Sequence, residues 1–232
     1  PSAVLAEPSA AGIWVAAEPR GLEFFEPREY TRVKSGMPRN HADTLASVDA
    51  DTLLVGSQET SALRLIGCTP RMVYSADSRE IEFPGELGGV NGAASGGDGI
   101  SYVATGRGVL RLEDLKEGRD RAVAFEGEHV DQVITGPEGS VWAGLGDGLY
   151  ELHGGVATGR EFTQFGGGFS GLTTTSDAVL ASLDGRAIRF HLASGEANVV
   201  AKLDGPSIRD VHPDGYGQVW PTTHGSGVYR LY

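Results

Sequence analysis

The side chains able to do chemistry in this chain are widely scattered. His41, His129 and His224 offer imidazoles, and Glu59 and Asp131 offer carboxylates; together these could hold a metal or work as acid and base. Arg107 and Arg209 have the planar fork that pairs with carboxylate or phosphate. Asp43 and Asp131 would accept from hydroxyl or amine donors. Gly146-Asp147-Gly148 reads as a hairpin, because no helix follows to make a phosphate loop. Asp49-Ala50-Asp51 lacks the spaced oxygens of a calcium loop, and Ser170 and Ser207 have no nucleophile-elbow context. Asp214 lies before its Trp strand at the wrong spacing for a sialidase-type Asp-box. The one cysteine, Cys68, excludes an intrachain disulfide and a Cys-rich zinc site, and reads as a small core residue.

Whatever brings these residues together must be the fold. Glycine is the first clue: 35 of 232 residues, about 15%, against an ordinary ~7%. Gly139-Ser140-Val141-Trp142-Ala143-Gly144 leads to Gly148-Leu149-Tyr150-Glu151-Leu152. Gly99-Ile100-Ser101-Tyr102-Val103-Ala104 leads in the same way to Gly108-Val109-Leu110-Arg111-Leu112. Weaker copies centre on Trp14, Leu54, Leu180 and Trp220. The marks at Trp14, Leu54, Tyr102, Trp142, Leu180 and Trp220 stand 40, 48, 40, 38 and 40 residues apart. The long step is assigned to an insertion at 69–78.

A step of about 40 residues built from short strands is the period of a β-propeller blade. Leu110-Arg111-Leu112 and Tyr150-Glu151-Leu152 alternate as strands do, and Asp184-Gly185 and Pro213-Asp214-Gly215 punctuate them as turns. The expectation is an all-β, six-bladed propeller forming one domain, with blades at about 1–36, 37–85, 86–127, 128–167, 168–205 and 206–232. The fourth unit is drafted as strands A to D at 130–135, 140–145, 148–153 and 160–165. Asp114 to Gly118 is read as no more than a turn. The last unit lacks its strand D, so the reading expects a three-stranded blade or an outer strand from residues outside these 232. The start at Pro1, without a leader, is read as processing or excerption from a longer protein.

The copies resemble the two-component-regulator propeller repeat, most clearly at Val141-Trp142-Ala143-Gly144 with Gly148-Leu149-Tyr150-Glu151-Leu152. Leu54 and Leu180 depart from its Trp, and Pro221-Thr222 from its Gly position. The resemblance implies a sensory or ligand-binding module, commonly extracytoplasmic in bacteria, and brings no catalytic residues. A second resemblance is to virginiamycin-B-lyase-like propellers, although the usual Phe-Thr-Glu continuation of their Val-Trp-Phe strand is missing here. The fixed aromatic in strand B is expected to pack between blades rather than face a ligand.

In such a ring, polar residues from different units meet where the A strands begin and the B–C turns end. Thirteen residues before the strand-B mark stand His41 and His129. Two residues later come Asp43, Asn91, Asp131, Ser170 (allowing a one-residue gap) and Arg209, with Ala3 the exception. The B–C turns add Arg20, Glu59, Arg107, Asp147, Asp184, Arg186 and His224. Three readings stay open. The ring is a solvated mouth; or Asp43, Asn91, Arg107, Asp131, Asp147, Asp184, Arg209 and His224 bind a polar small molecule, protein or peptide end; or His41, His129 and His224 form a metal or catalytic centre. The preferred reading is non-enzymatic recognition without a cofactor, with a lyase- or hydrolase-like propeller as runner-up.

Charge narrows the partners. With 19 Lys+Arg against 31 Asp+Glu, the net charge of −12 repels phosphate backbones and anionic membrane surfaces. No run of 18 apolar residues exists to span a bilayer.

Overall fold

The computed structural model describes residues 3–6, 13–17, 21–25, 30–33, 44–49, 52–57, 62–67, 79–82 and 88–231, except 120, 155, 163–164, 166, 205–206, 215–217 and 224. Cys68, the 69–78 segment, His41, Asp43 and His224 fall outside this set, as do Arg20 and Glu59.

Among the described residues the strands form six antiparallel sheets, each a meander in chain order. The first holds β1 (Ala3–Ala6), β2 (Ile13–Ala17), β3 (Gly21–Phe25) and β4 (Tyr30–Val33). The second holds β5 (Thr44–Asp49), β6 (Thr52–Gly56), β7 (Ala62–Gly67) and β8 (Arg79–Glu82). The third holds β9 (Val90–Ser95), β10 (Ser101–Thr105) and β11 (Gly108–Arg111), and runs on into α1 (Leu112–Lys116). The fourth holds β12 (Val130–Thr135), β13 (Val141–Leu145), β14 (Gly148–His153) and β15 (Val156–Phe162). The fifth holds β16 (Phe169–Thr174), β17 (Ala178–Leu183), β18 (Arg186–His191) and β19 (Ala197–Lys202). The sixth holds β20 (Ile208–Pro213), β21 (Val219–Thr223) and β22 (Gly227–Val228).

Each leading strand packs beside the next in chain order: β1 on β5, β5 on β9, β9 on β12, β12 on β16 and β16 on β20. The core is divided accordingly, with clusters lying between consecutive sheets. Leu54, Val103 and Leu110 meet between the second and third. Tyr102, Val133 and Ala143 meet between the third and fourth. Trp142, Phe162, Val179 and Phe190 meet between the fourth and fifth, and Leu180, Val211 and Val219 between the fifth and sixth.

The repeat explains this packing. Its strand-B marks Leu54, Tyr102, Trp142 and Leu180 are all buried, each contributing roughly 1.5–3 kcal/mol of apolar transfer. Trp142 packs against Phe162 with the rings tilted by 39° and centroids 5.9 Å apart, and its indole N–H donates to Ser140 Oγ at 3.1 Å. Two residues after the mark the side chain is small for a steric reason. A Cβ on Gly144 would lie 2.9 Å from the Phe169 ring, where the next leading strand begins. Gly56 stands in the same relation to Val90.

Two local expectations need correction. Residues 114–118 lie in and just beyond a short helix, not a simple turn. Leu112 and Leu115, one helical turn apart, are buried under the sheet, while Glu113 and Asp114 open the helix and Lys116 closes it. The third sheet accordingly has three strands among the described residues, with Ala124 bridging back to Val109. Strand D of the fourth unit runs from Val156 to Phe162, four residues ahead of its expected start, because the hairpin turns tightly at Gly154.

Candidate ligand-binding face

The polar positions read across the repeat share one structural feature. Each leading strand of the third to sixth sheets opens with a β-bulge, and the extra residues are Asn91, Asp131, Ser170 and Arg209. A bulge turns a side chain out of the sheet's alternation, and three of the four spend theirs on neighbours. Asn91 Nδ2 donates to Val130 O at 2.8 Å. Asp131 Oδ2 accepts from Phe169 N–H at 3.0 Å. Ser170 and Ser182 hydroxyls lie 2.9 Å apart, and Ser182 Oγ donates to Ile208 O at 2.8 Å. These bonds tie each sheet to the start of the following leading strand.

Two adjoining cavities open on this face. The larger, about 520 Å³, is lined by His129, Asp131, Asp147, Phe125 and Tyr150 among others. The smaller, about 350 Å³, is lined by Ser170, Asp184, Ser207 and Arg209. Gly168 borders both. His129 Nε2 lies 3.4 Å from Asp131 Oδ1, an ion-pair distance rather than a short hydrogen bond. Burial pushes the Asp131 carboxyl up, against the opposing pull of the Phe169 N–H and of His129. Asp184 lies 3.7 Å from Arg186, whose guanidinium stands over the Phe165 ring. Among the described residues, Glu128, Asp147 and Arg209 have no side-chain partner at hydrogen-bond or ion-pair distance.

Asp131 and Asp147 with His129, and Asp184 with Arg209, are therefore brought onto one face by successive sheets. Asn91 and the exposed Arg107 belong to the preceding sheet and line neither cavity. Asp43, His41 and His224 are outside the described residues. Among those residues no three of His, Cys, Asp and Glu gather as metal ligands.

Sequence reasoning missed three features. The first is the aromatic corner of the larger cavity, where Phe125 and Tyr150 rings meet at 5.1 Å and 56°. Phe125 holds a left-handed φ of 54°, uncommon for a bulky residue; its place in the recurring Phe-x-Gly run was the available signal. The second is a tighter His/Asp pair, His212 Nε2 to Asp210 Oδ2 at 2.9 Å, which raises the imidazole pKa. Its i, i+2 spacing on one strand was legible. The third lies on the opposite face, where a cavity of about 640 Å³ is lined by Asp98, Tyr102, Glu151, His153 and Asp177. Most of its charged groups are engaged within the fold. Tyr102 donates to Asp98 at 3.2 Å, Arg189 reaches both Asp177 oxygens at 2.9 Å, and His153 stands 3.7 Å from Glu151.

No family model matches the chain, and no curated protein matches it in sequence. Solved structures do match. The extracellular domain of the two-component-system protein BT4673 from B. thetaiotaomicron superposes with a TM-score of 0.69 at 16% identity, over 100% of this chain and 31% of that one. Virginiamycin B lyase from Staphylococcus aureus gives 0.73 at 15%, over 98% of this chain and 79% of that one. A catalytically inactive histidine-to-alanine variant of that lyase, with quinupristin, gives 0.71 at 13%, over 98% and 82%. The fold is a β-propeller. These are the two kinds of propeller that the repeat resembles. The chain spans under a third of the BT4673 domain, and identities this low speak to the fold alone. In propeller terms the leading strands are the inner strands, and the bulges mark where the third to sixth sheets begin. Among the described residues no helix is long and apolar enough to cross a membrane.

Proposed function

We propose that this chain is a six-bladed propeller with blades at about 1–36, 37–85, 86–127, 128–167, 168–205 and 206–232, acting as a non-enzymatic recognition module. It binds a polar small ligand, or the end of a peptide or protein partner, on the face where the inner strands begin. The supporting observation is that Asp131, Asp147, Asp184 and Arg209, from three successive sheets, line two adjoining cavities, with Asp147 and Arg209 unpaired among the described residues. Rigid blades hold these groups in place, so binding orders little that was mobile. Asp43, Asn91, Arg107 and His224 belong to the same proposed ligand-binding set; Asp43 and His224 lie outside the described residues, and Asn91 ties its sheet to Val130 O. The likeness to an extracellular domain of a bacterial two-component system supports a sensor outside the cytoplasm, carried within a larger polypeptide. A calorimetric screen of small acids, amines and neutral polyols tests this. Binding weakened by Asp147→Asn or Arg209→Gln is expected; binding indifferent to both substitutions contradicts it.

The His129–Asp131 pair inside the larger cavity favours a second reading, a lyase- or hydrolase-like centre. His129→Ala separates the two. It abolishes turnover if the imidazole is a base, and leaves affinity within about threefold if the face only binds.

A further inference from the structure

The larger cavity has a chemical character that its neighbour lacks. Its wall carries a corner of two aromatic rings, Phe125 and Tyr150, whose centroids lie 5.1 Å apart. Three carboxylates, Glu128, Asp131 and Asp147, line the same space, and among the described residues no Lys or Arg does. Among the described residues His129 is the one lining group able to become cationic, and it already faces Asp131. The adjoining cavity is instead lined by both Arg209 and Asp184.

A ring face attracts a cation through its quadrupole, most strongly where water is excluded. An anion would meet three like charges here. A neutral polyol would leave the carboxylate charge unbalanced. A cation with an apolar surround satisfies both walls at once, because the rings receive its methyl or methylene groups and the carboxylates its charge. The position of Phe125 reinforces this, since holding a bulky residue at φ 54° costs energy that ordinary packing would avoid. Resting on the reading that this face binds ligands, we propose that the cavity takes an organic ammonium group, primary or quaternary, seated in the Phe125–Tyr150 corner and balanced by Asp131, Asp147 and Glu128.

The test is calorimetry on the full chain at low salt with four probes: choline, butylamine, acetate, and 3,3-dimethylbutanol as the neutral isostere of choline. Choline and butylamine are expected to bind at least tenfold more tightly than the isostere, and acetate not at all. Tyr150→Leu and Asp147→Asn should each weaken choline by about 3–10-fold. Unchanged melting temperatures of the two variants would show that they remain folded. Choline binding no better than the isostere, or binding unmoved by both variants, overturns the proposal. Should acetate or the neutral probe bind here instead, with Arg209→Gln or Asp147→Asn weakening it, only the ammonium class fails. If no probe of any charge binds this face, the recognition reading fails with it.

Discussion

The two faces of the propeller use similar residues for opposite ends. Where the inner strands finish, polar side chains are spent on the fold. Ser95 Oγ reaches Ser47 O at 3.5 Å, Thr135 Oγ1 donates to Ser95 O at 2.8 Å, and Thr174 Oγ1 to Thr135 O at 3.2 Å. These bonds form a stitched line across four consecutive blades. Gly97 N–H donates to Gly139 O at 2.7 Å in the same region, closing the backbones against each other. Where the inner strands begin, Glu128, Asp147 and Arg209 stand beside open space with no partner among the described residues. The cavity of about 640 Å³ on the finishing face exceeds either of those on the starting face, yet most of its charges are mutually satisfied. Unspent charge, rather than volume, is the better guide to a binding face, since an unpaired ionic group contributes little to folding.

Substitutions can break this contrast, and the largest effect belongs to the packing between blades. Trp142→Ala should lower stability by about 3–5 kcal/mol in denaturant unfolding, because the ring is fully buried. Gly139→Ala comes next, at about 1–3 kcal/mol. Its φ is 77°, and a Cβ would stand 2.4 Å from Gly97 Cα, backbone that cannot swing aside. Thr135→Val removes one hydroxyl stitch and should cost about 0.5–1 kcal/mol in the same measurement. On the starting face, Asp147→Asn and Arg209→Gln should leave stability within about 0.5 kcal/mol of the parent. A loss above about 1.5 kcal/mol from either would show that these charges serve the fold, and the contrast would be gone.

Two pH effects sharpen the comparison at smaller scale. Burial raises the Asp131 pKa in the folded state, so folding is favoured at low pH and loses that contribution as pH rises through the raised value. Asp131→Asn, still able to accept from Phe169 N–H, should therefore melt at or slightly above the parent at pH 7 and match it near pH 3. The His212 pKa is also raised, first by its hydrogen bond to Asp210. Its contribution is present below the ordinary histidine pKa of about 6.5 and fades as pH climbs through the higher folded value. His212→Gln should lower the melting temperature slightly at pH 5.5 and not at pH 9. His212 is exposed and Asp210 half-buried, so solvent screening leaves less than about 1 kcal/mol at stake.

The blade repeat was readable because packing imposes it. Trp142 and Tyr102 recur where neighbouring sheets meet, and Gly144 recurs where the next inner strand presses in. β12, β13 and β14 fall within one residue of their drafted positions for that reason. The polar ring at Asn91, Asp131, Ser170 and Arg209 was legible as a position, but its bulge was not. A single extra residue changes pairing without changing residue type, so the ties to Val130 O and Phe169 N–H could not be read from spacing. α1 escaped because five residues hold barely one turn of helical period. The Phe125–Tyr150 corner joins two blades, and nothing local in either segment announces the other.

Chemical-shift mapping by NMR, with a mixed pool of small amines, carboxylates and polyols added to the full chain, addresses the contrast between the faces most directly. Shifts confined to the amides of His129, Asp131, Asp147, Gly168 and Arg209 are the expected result. Shifts gathered instead at Asp98, Glu151 and Asp177 would place recognition on the opposite face and contradict the assignment.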